Sequence, residues 1–583
     1  MENFDYDLRS IQEARDLARR GEAAAKKMAG YTSGQIDMIL QNMVRTAEAY
    51  GACLARMAVE ETGFGKVLDK TYKNHAASTL LYNDIKDMKT IGIISEDTVK
   101  GTMDVAEPVG LIMGIVPSTN PTSTTIYKSM IAIKSGNAIV FSPHPSAAKC
   151  TLKAAQLMRQ AAVEAGAPED VIGCISMPTM GATNELMHCR EVSVIIATGG
   201  PGMVKAAYSA GKPAIGVGAG NSPAYIERTA DVSHAVKTIM ASKTFDNGTI
   251  CASEQSIICE ECNHDQVVAE LKAQGGYFMT KEETKKVCGL LFKNGHSMNA
   301  KFVGRSPQVI AQGAGITIPE GTRVLIGEQE GVGEGYPLSY EKLTTVLGFY
   351  TVKDWKEACR LSIDLLQNGI GHTMSLHTQD RDMVLKFAAK PASRILVNTG
   401  GSQGGTGIST GLNIAFTLGC GTCGGSSVSE NVSPMQLINI KKVAYGLKDC
   451  TTLMEDDKTF HPEMAAPVQA AGSVSVGSVS VGSVSVGSAP VGSSPVSPAP
   501  TVCGPCRGNM SPAAIVAAFD ARNNSADTCA DMSASSGVAG TSAGTSAGTA
   551  AGTAAGTAAS CENEKLAALV RQLITTMKNQ KDA

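Results

Sequence analysis

The sequence predicts an α/β fold built on parallel sheets, followed by a tail of a different kind. Three observations carry this. From about residue 100, short apolar runs alternate with helical segments, the pattern of a parallel sheet covered on both faces. A second α/β block runs from about 225 to 430. Near residue 455 the composition shifts abruptly to small and polar repeats. A chain of 583 residues is in any case too long for one ordinary domain.

The elements follow in order. Residues 1–60 read as helix, with few breakers in QEARDLARRGEAAAKKM. VGLIMGIVP (109–117) reads as a buried strand and 122–135 as a helix. NAIVFSPHP is a strand and SAAKCTLKAAQLMRQAAVEAG a helix. DVIGCISMP, VSVIIATGG and PAIGVGAG are further strands, separated by helical segments at 181–189 and 201–211. The second block holds Cys251 and the Gly-rich turns NTGGSQGGTG (398–407) and LGCGTCGG (418–425).

The tail repeats GSVSV over 472–496, drifting to GSAPV and GSSPV, then GTSA and GTAA over 540–559. Such segments bury too little apolar surface to offset ordering entropy, so 455–560 is expected to be a flexible linker. Two helical islands interrupt that pattern. One follows Ser511-Pro512, a cap and a favoured first-turn proline, and carries Ile515, Val516 and Phe519. The other is ENEKLAALVRQLITTMKNQ, within 562–583. There Leu566, Leu569, Val570, Leu573, Ile574 and Met577 form one apolar stripe at helical spacing. A tethered amphipathic helix must bury its stripe elsewhere: on a partner groove, on another copy, or on the parent domain.

Composition excludes some classes of function. The net charge of −3 gives no electrostatic reason to expect nucleic acid or an anionic membrane as partner, and aromatics at 4% do not favour base stacking. The start MENFDYDLRSIQEARD lacks a basic region leading into an apolar one, and no run reaches the ~18–20 apolar residues of a membrane span. The expectation is a cytoplasmic protein whose 16 cysteines are mostly free thiols. Three CxxC pairs occur, Cys259/Cys262, Cys420/Cys423 and Cys503/Cys506. Zinc needs four well-placed ligands, so no metal is expected.

Composition alone does not select one cysteine from 16. The local string does: KTFDNGTICASEQSII (243–258) resembles the nucleophile segment of the aldehyde dehydrogenase superfamily. EETGFGK (60–66), GLIMGIVPSTNPTS (110–123) and ATGGPGMVKAA (197–207) are similar to its N-terminal half, in the same order. LSYEKLTTVLGFY (338–350), GIGHT (369–373), RILVNTGGSQGG (394–405) and TLGCGTCGGSSVSENV (417–432) resemble its CoA-acylating branch. That branch includes acetaldehyde and propionaldehyde enzymes, some of them from bacterial microcompartments. The resemblance covers about 8–450.

The resemblance implies two Rossmann-like parallel-sheet domains with a β-arm for oligomerisation. An NAD-binding domain would span 1–225, with an arm strand near 101–108. A catalytic domain would span 226–430, and 431–450 would return to the cofactor domain and its oligomerisation arm. It implies Cys251 as nucleophile, with Asn120 and the backbone N–H of Cys251 as oxyanion donors. Pro117, Ser118, Thr198, Gly199 and Gly200 would bind the cofactor. Gly200-x-Gly202 is weak as a plain motif, since Lys205 stands where a third glycine would. Glu341 resembles a carboxylate contacting the nicotinamide-side ribose. His372 resembles a histidine near the acylating site, for proton transfer or contact with the incoming thiol. His144 sits where a lysine commonly meets the adenosine ribose, which leaves NAD against NADP less firmly set.

One departure is informative. Hydrolytic members carry a water-activating glutamate in a string like ELGGKSP; here GVGAGNSP (216–223) has Val217 in its place. Without that base, water loses help worth roughly 10²–10⁴-fold, whereas coenzyme A brings its own sulfur nucleophile. The reaction expected is a short aldehyde, acetaldehyde before propionaldehyde, with NAD and coenzyme A giving acyl-CoA; release of the free acid is the alternative. The partners expected are a homodimer or homotetramer and a microcompartment shell bound through 562–583, placing the enzyme in the microcompartment lumen; self-association of that helix is the alternative.

Overall fold

The apolar run Leu111–Val116 is buried at every residue, and it forms the middle strand of a five-stranded parallel sheet. The computed structural model describes residues 5–461. The tail repeats, the Cys503/Cys506 pair, the island after Ser511 and the helix expected at 562–583 lie outside the described residues.

Two long helices come first, α1 (Tyr6–Met28) and α2 (Ser33–Thr62). A capping box between Thr32 and Gln35 starts α2, and Gly63, left-handed at φ 69°, ends it. Helix α3 (Val67–His75) continues through a π-turn at Ala76–Leu80 into α4 (Leu81–Ile85). A hairpin of β1 (Gly92–Asp97) and β2 (Thr102–Pro108) precedes the first sheet.

That sheet is built by β3 (Leu111–Val116), α5 (Pro121–Lys134), β4 (Ala138–Pro143), α6 (Ala148–Glu164), β5 (Ile172–Cys174), α7 (Met180–His188), β6 (Val192–Thr198), α8 (Pro201–Tyr208) and β7 (Ala214–Val217). Its order is β5-β4-β3-β6-β7, all parallel. The chain winds outward from β3 to β5 and then restarts on the other side with β6. The carboxyl ends of β3 and β6 therefore flank a topological switch point, where such sheets bind ligands. Every residue of α5 is buried, and its sequence is apolar or small apart from Tyr127 and two lysines: Lys128 donates to the carbonyls of Ile115 and Ile196, and Lys134 to that of Lys86. Gly21 of α1 lets that helix lie against β3, since a Cβ there would come within 2.7 Å of Leu111.

The second sheet takes β8 (Ser222–Ile226), α9 (Val232–Thr244), β9 (Glu254–Glu260), α10 (His264–Ala273), β10 (Gly276–Phe278) and α11 (Lys281–Leu291). A small hairpin, β11 (Phe292–Lys293) and β12 (Ser297–Met298), leads to α12 (Pro307–Ala314) and β13 (Val324–Glu328). Then come β14 (Val346–Val352), α13 (Trp355–Leu366), β15 (Gly371–His377), α14 (Arg381–Ala388), β16 (Ala392–Val397) and α15 (Gly401–Gly405). The order is β10-β13-β14-β9-β8-β15-β16, again all parallel. Finally β17 (Ile438–Ala444) pairs antiparallel with β2 to make a three-stranded arm.

Three features differ from the sequence reading. The strand Ser222–Ile226 belongs to the second sheet, so the change of sheet falls ahead of 225. Ile414, Phe416 and Leu418 already pack into the core of the first sheet, so the chain returns there before 431. A last helical turn, α16 (Leu453–Asp456), occupies the point where the linker was expected to begin. No described helix is long and apolar enough to cross a membrane.

Candidate active site

The loops after the strands of the first sheet meet the loops before the strands of the second around a cavity of about 270 Å³. Its walls are Pro117–Asn120 after β3, His144 after β4, Thr198–Pro201 after β6 and Val217–Ala219 after β7. Thr249–Cys251 before β9 and Glu341 before β14 close the other side. Nine of the ten residues singled out from the sequence, Pro117, Ser118, Asn120, His144, Thr198, Gly199, Gly200, Cys251 and Glu341, line this one space. The tenth, His372, does not line it but lies directly behind Cys251, with Nε2 3.2 Å from Sγ.

Cys251 is presented by an unusual turn. Helix α9 ends at Thr244, and Asp246 and Asn247 then take left-handed backbone at φ 50° and 53°. That conformation costs about 1–2 kcal/mol for a residue with a side chain, so the surroundings must hold it. The Asp246 carboxylate does so. It accepts from the backbone N–H of Lys66 at 2.7 Å, from Lys70 Nζ at 2.9 Å, from Lys73 Nζ at 2.6 Å and from Thr249 Oγ1 at 2.7 Å. The contact explains the second glycine of EETGFGK: a Cβ at Gly65 would overlap the Asp246 carboxylate. Lys73 and Asp246 are 1% and 0% exposed, and burial pulls the Lys73 ammonium down to about 8 despite its acidic partner.

The same lysine reaches Asn120. Lys73 Nζ donates to Asn120 Oδ1 at 2.7 Å, which turns the amide nitrogen toward the Cys251 turn. Asn120 Nδ2 there donates to the carbonyl of Thr249 at 3.1 Å and to Thr119 Oγ1 at 3.2 Å. Cys251 itself is half-buried. Burial first, then the nearby Glu341 and Cys420, push its thiol up to about 12, with Arg394 acting the other way. His372 is fully buried, and burial with the Arg394 charge holds its imidazole neutral, well below the usual histidine range.

The GVGAG strap joins the two halves. Glu341 Oε1 accepts from the backbone N–H of Gly220 at 2.8 Å, and burial raises this carboxyl to about 7. A Cβ at Gly220 would overlap the carbonyl oxygen of Cys251, so only glycine lets the strap pass. On the far side, His144 Nδ1 accepts from the Ser146 backbone N–H at 3.2 Å. Gly200 caps α8, and a Cβ at Gly200 or Gly218 would meet nothing within 4 Å. The backbone is therefore open to a bulky anion at a helix N-terminus. Among the described residues, no three of His, Cys, Asp or Glu are grouped to hold a metal ion.

Several residues escaped the sequence reading: Lys70, Lys73, Asp246, Thr373 and Arg394. A lysine on a helix normally reads as solvated. The turn signal Asp-Asn-Gly and the lone cation opening the apolar run RILV were the available hints.

Comparison with known proteins agrees with this geometry. The profile described as "Aldehyde dehydrogenase family" matches residues 6–286. The chain is 48% identical over 442 residues to the bifunctional aldehyde-alcohol dehydrogenase AdhE of Escherichia coli K12, covering 75% of this chain and 50% of that protein. It thus spans about half the length of that relative. It is 37% identical to the succinate-semialdehyde dehydrogenase (acetylating) of Clostridium kluyveri, covering 75% of this chain and 96% of that one. An acetylating aldehyde dehydrogenase from Geobacillus thermoglucosidasius superposes with a TM-score of 0.75 at 51% identity, covering 76% of this chain and 99% of that one.

Proposed function

Since the chain belongs to the aldehyde dehydrogenase family, we propose that it converts a short aldehyde, NAD and coenzyme A to acyl-CoA, acetaldehyde before propionaldehyde. One observation carries the acylating reading. The cavity wall beside Cys251 is Val217, Gly218 and Ala219, with no carboxylate where a hydrolytic enzyme would need one.

The residues present fit a dinucleotide. Gly199 and Gly200 at the start of α8, the latter with open space in place of a side chain, would take the pyrophosphate; Pro117 and Ser118 would flank it. His144 would lie toward the adenosine end and Glu341 toward the ribose nearer Cys251. When bound, the oxidised nicotinamide supplies the hydride acceptor.

The chain's own residues do the rest. The Cys251 thiol loses its proton to water, the thiolate sulfur attacks the aldehyde carbon, the S–C bond forms, and the carbonyl electron pair moves to oxygen. Asn120 Nδ2 and the backbone N–H of Cys251 would stabilise that oxygen; one such donor is typically worth about 3–4 kcal/mol in the transition state. After oxidation an acyl group remains on Cys251 as a thioester, and the sulfur of coenzyme A displaces it.

Free-acid release has one observation in its favour: Glu341 faces the same cavity, and a carboxyl raised to about 7 is matched to deprotonating water. Product analysis separates the two. NADH should form at full rate only with coenzyme A present, with acyl-CoA detected by mass spectrometry. Full-rate NADH formation without any acyl acceptor would exclude the acylating reading.

Two further parts of the proposal concern assembly. The arm of β1, β2 and β17 would join copies into a dimer or dimer of dimers, which light scattering tests. The apolar stripe over 562–583 would direct the enzyme to a microcompartment shell. Deleting 562–583 should leave activity intact and abolish co-purification with shell protein; unchanged co-purification would rule that out.

A further inference from the structure

What His372 can do for Cys251 depends on the group at its other nitrogen. His372 Nδ1 lies 2.8 Å from Thr373 Oγ1. Thr373 sits opposite Arg394 in the parallel pairing of β15 with β16. Arg394 Nε donates to that same hydroxyl oxygen at 3.1 Å. A guanidinium can only donate, so the hydroxyl must accept from it. The hydroxyl proton is then left with His372 Nδ1 as its acceptor. An imidazole nitrogen that accepts carries no proton, and in the neutral ring the proton must be on the other nitrogen.

The opposite arrangement fails on counting. A proton on Nδ1 would give Thr373 Oγ1 two incoming N–H donors and leave its own proton without an acceptor, at a residue 0% exposed. Arg394 has no freedom to turn away. Its Nη2 donates to the carbonyls of His372 at 3.1 Å and Gly419 at 2.6 Å. Its Nη1 donates to the carbonyl of Ser429 and to Asn431 Oδ1, both at 3.3 Å. All of these acceptors are neutral, so the buried cation is fixed by geometry rather than by a carboxylate.

We infer that Thr373 and Arg394 are positioning residues that hold His372 with its proton on Nε2, so that the imidazole donates a hydrogen bond to the Cys251 sulfur instead of removing the thiol proton. The inference deepens the reading of Cys251 as nucleophile and rests on it. The N–H faces the sulfur whenever it is anionic. It favours the attacking thiolate. It also favours the leaving thiolate when the incoming sulfur forms its S–C bond, the Cys251 S–C bond breaks, and the electron pair returns to Sγ. Around the sulfur, Glu341 and Cys420 oppose the anion and Arg394 supports it, so His372 acts as a neutral donor within a mixed field.

Alkylation of Cys251 by iodoacetamide across pH tests this, in the full-length protein with no aldehyde, dinucleotide or coenzyme A added. Failure here is therefore distinct from failure of the acyl-CoA reading, which product analysis decides. Thr373→Val should slow alkylation near neutral pH roughly tenfold or more and move the profile to higher pH. Thr373→Ser should behave as wild type. His372→Gln, which can place an amide N–H near the position of Nε2, should retain more reactivity than His372→Asn. In ¹⁵N spectra of histidine-labelled wild-type protein, the resonance lost in His372→Gln should show a protonated Nε2 and a bare Nδ1. Wild-type alkylation by a natively melting Thr373→Val, or a protonated Nδ1, overturns the inference. If Thr373→Val does not fold, the wild-type spectrum decides.

Discussion

The ammonium of Lys73 donates to the side-chain carbonyl of Asn120 at 2.7 Å while also holding Asp246 at 2.6 Å. One buried cation thus ties the proposed oxyanion donor to the turn that carries the nucleophile. The two halves of the site come from segments about 130 residues apart in the chain, and Lys73 lies on neither.

Truncating Asn120 to Ala should lower kcat by about 10²–10³-fold, the usual loss of one oxyanion donor. Lys73→Met should lower kcat through the freed amide, and should also lower stability by about 1–3 kcal/mol, because Asp246 loses one of its buried partners. The two substitutions share one interaction. Steady-state kinetics on the double variant should show a loss well short of the product of the single losses. Independent, multiplicative effects would separate Lys73 from Asn120.

The pH dependence of Cys251 follows from its burial. A thiol pushed up to about 12 is almost wholly protonated at neutrality. The thiolate fraction, and with it the alkylation rate of the unliganded protein, should rise about tenfold per pH unit from about pH 7 to 9. The rise should continue well beyond the range in which an ordinary cysteine levels off. A plateau near pH 8 to 9 would mean that the thiol is not held neutral by its surroundings.

Much of this was legible beforehand, for a physical reason. Parallel strands buried on both faces are near-continuously apolar, so Leu111–Val116 and the Val194–Ala197 stretch of β6 announce themselves as runs. The glycines at 199 and 200 and the Cys251 string were legible through resemblance to a family. The charges beneath them were not. Lys70, Lys73 and Asp246 meet only because α3 packs under the Cys251 turn, and periodicity carries no sign of that contact. The boundary near 225 shifted because β8, which follows the Gly218–Asn221 break after β7, pairs with β9 and β15 in the second sheet. Segment 414–430 looked like a continuation of the second block, yet its Ile414, Phe416 and Leu418 complete the first core.

Gly220 tests how tightly the strap fits. A methyl group there would overlap the Cys251 carbonyl oxygen and approach His372 Cε1 at 3.4 Å. Gly220→Ala should therefore reduce both alkylation of Cys251 and turnover, by at least tenfold. Gly218→Ala, two residues away, would meet nothing within 4 Å and should leave alkylation near wild type. Equal effects of the two would indicate a loose strap and shift attention to Glu341.

Val217 tests the choice between acyl acceptors. It lines the cavity yet is 1% exposed, so Val217→Glu would put a carboxylate against the proposed thioester in a poorly solvated wall. Burial should raise its pKa toward neutrality, as it does for Glu341 at about 7, which suits a general base. The expected outcome is NADH formation without coenzyme A that rises about 10–100-fold over wild type, with free acid as product. Stability should fall by about 1–3 kcal/mol for the partly unpaired buried carboxyl. Acyl-CoA formation should persist, because coenzyme A supplies its own nucleophile. If Val217→Glu folds, binds dinucleotide and gains no hydrolysis, the missing carboxylate is not what directs the acyl group, and exclusion of water from the cavity becomes the cause to pursue.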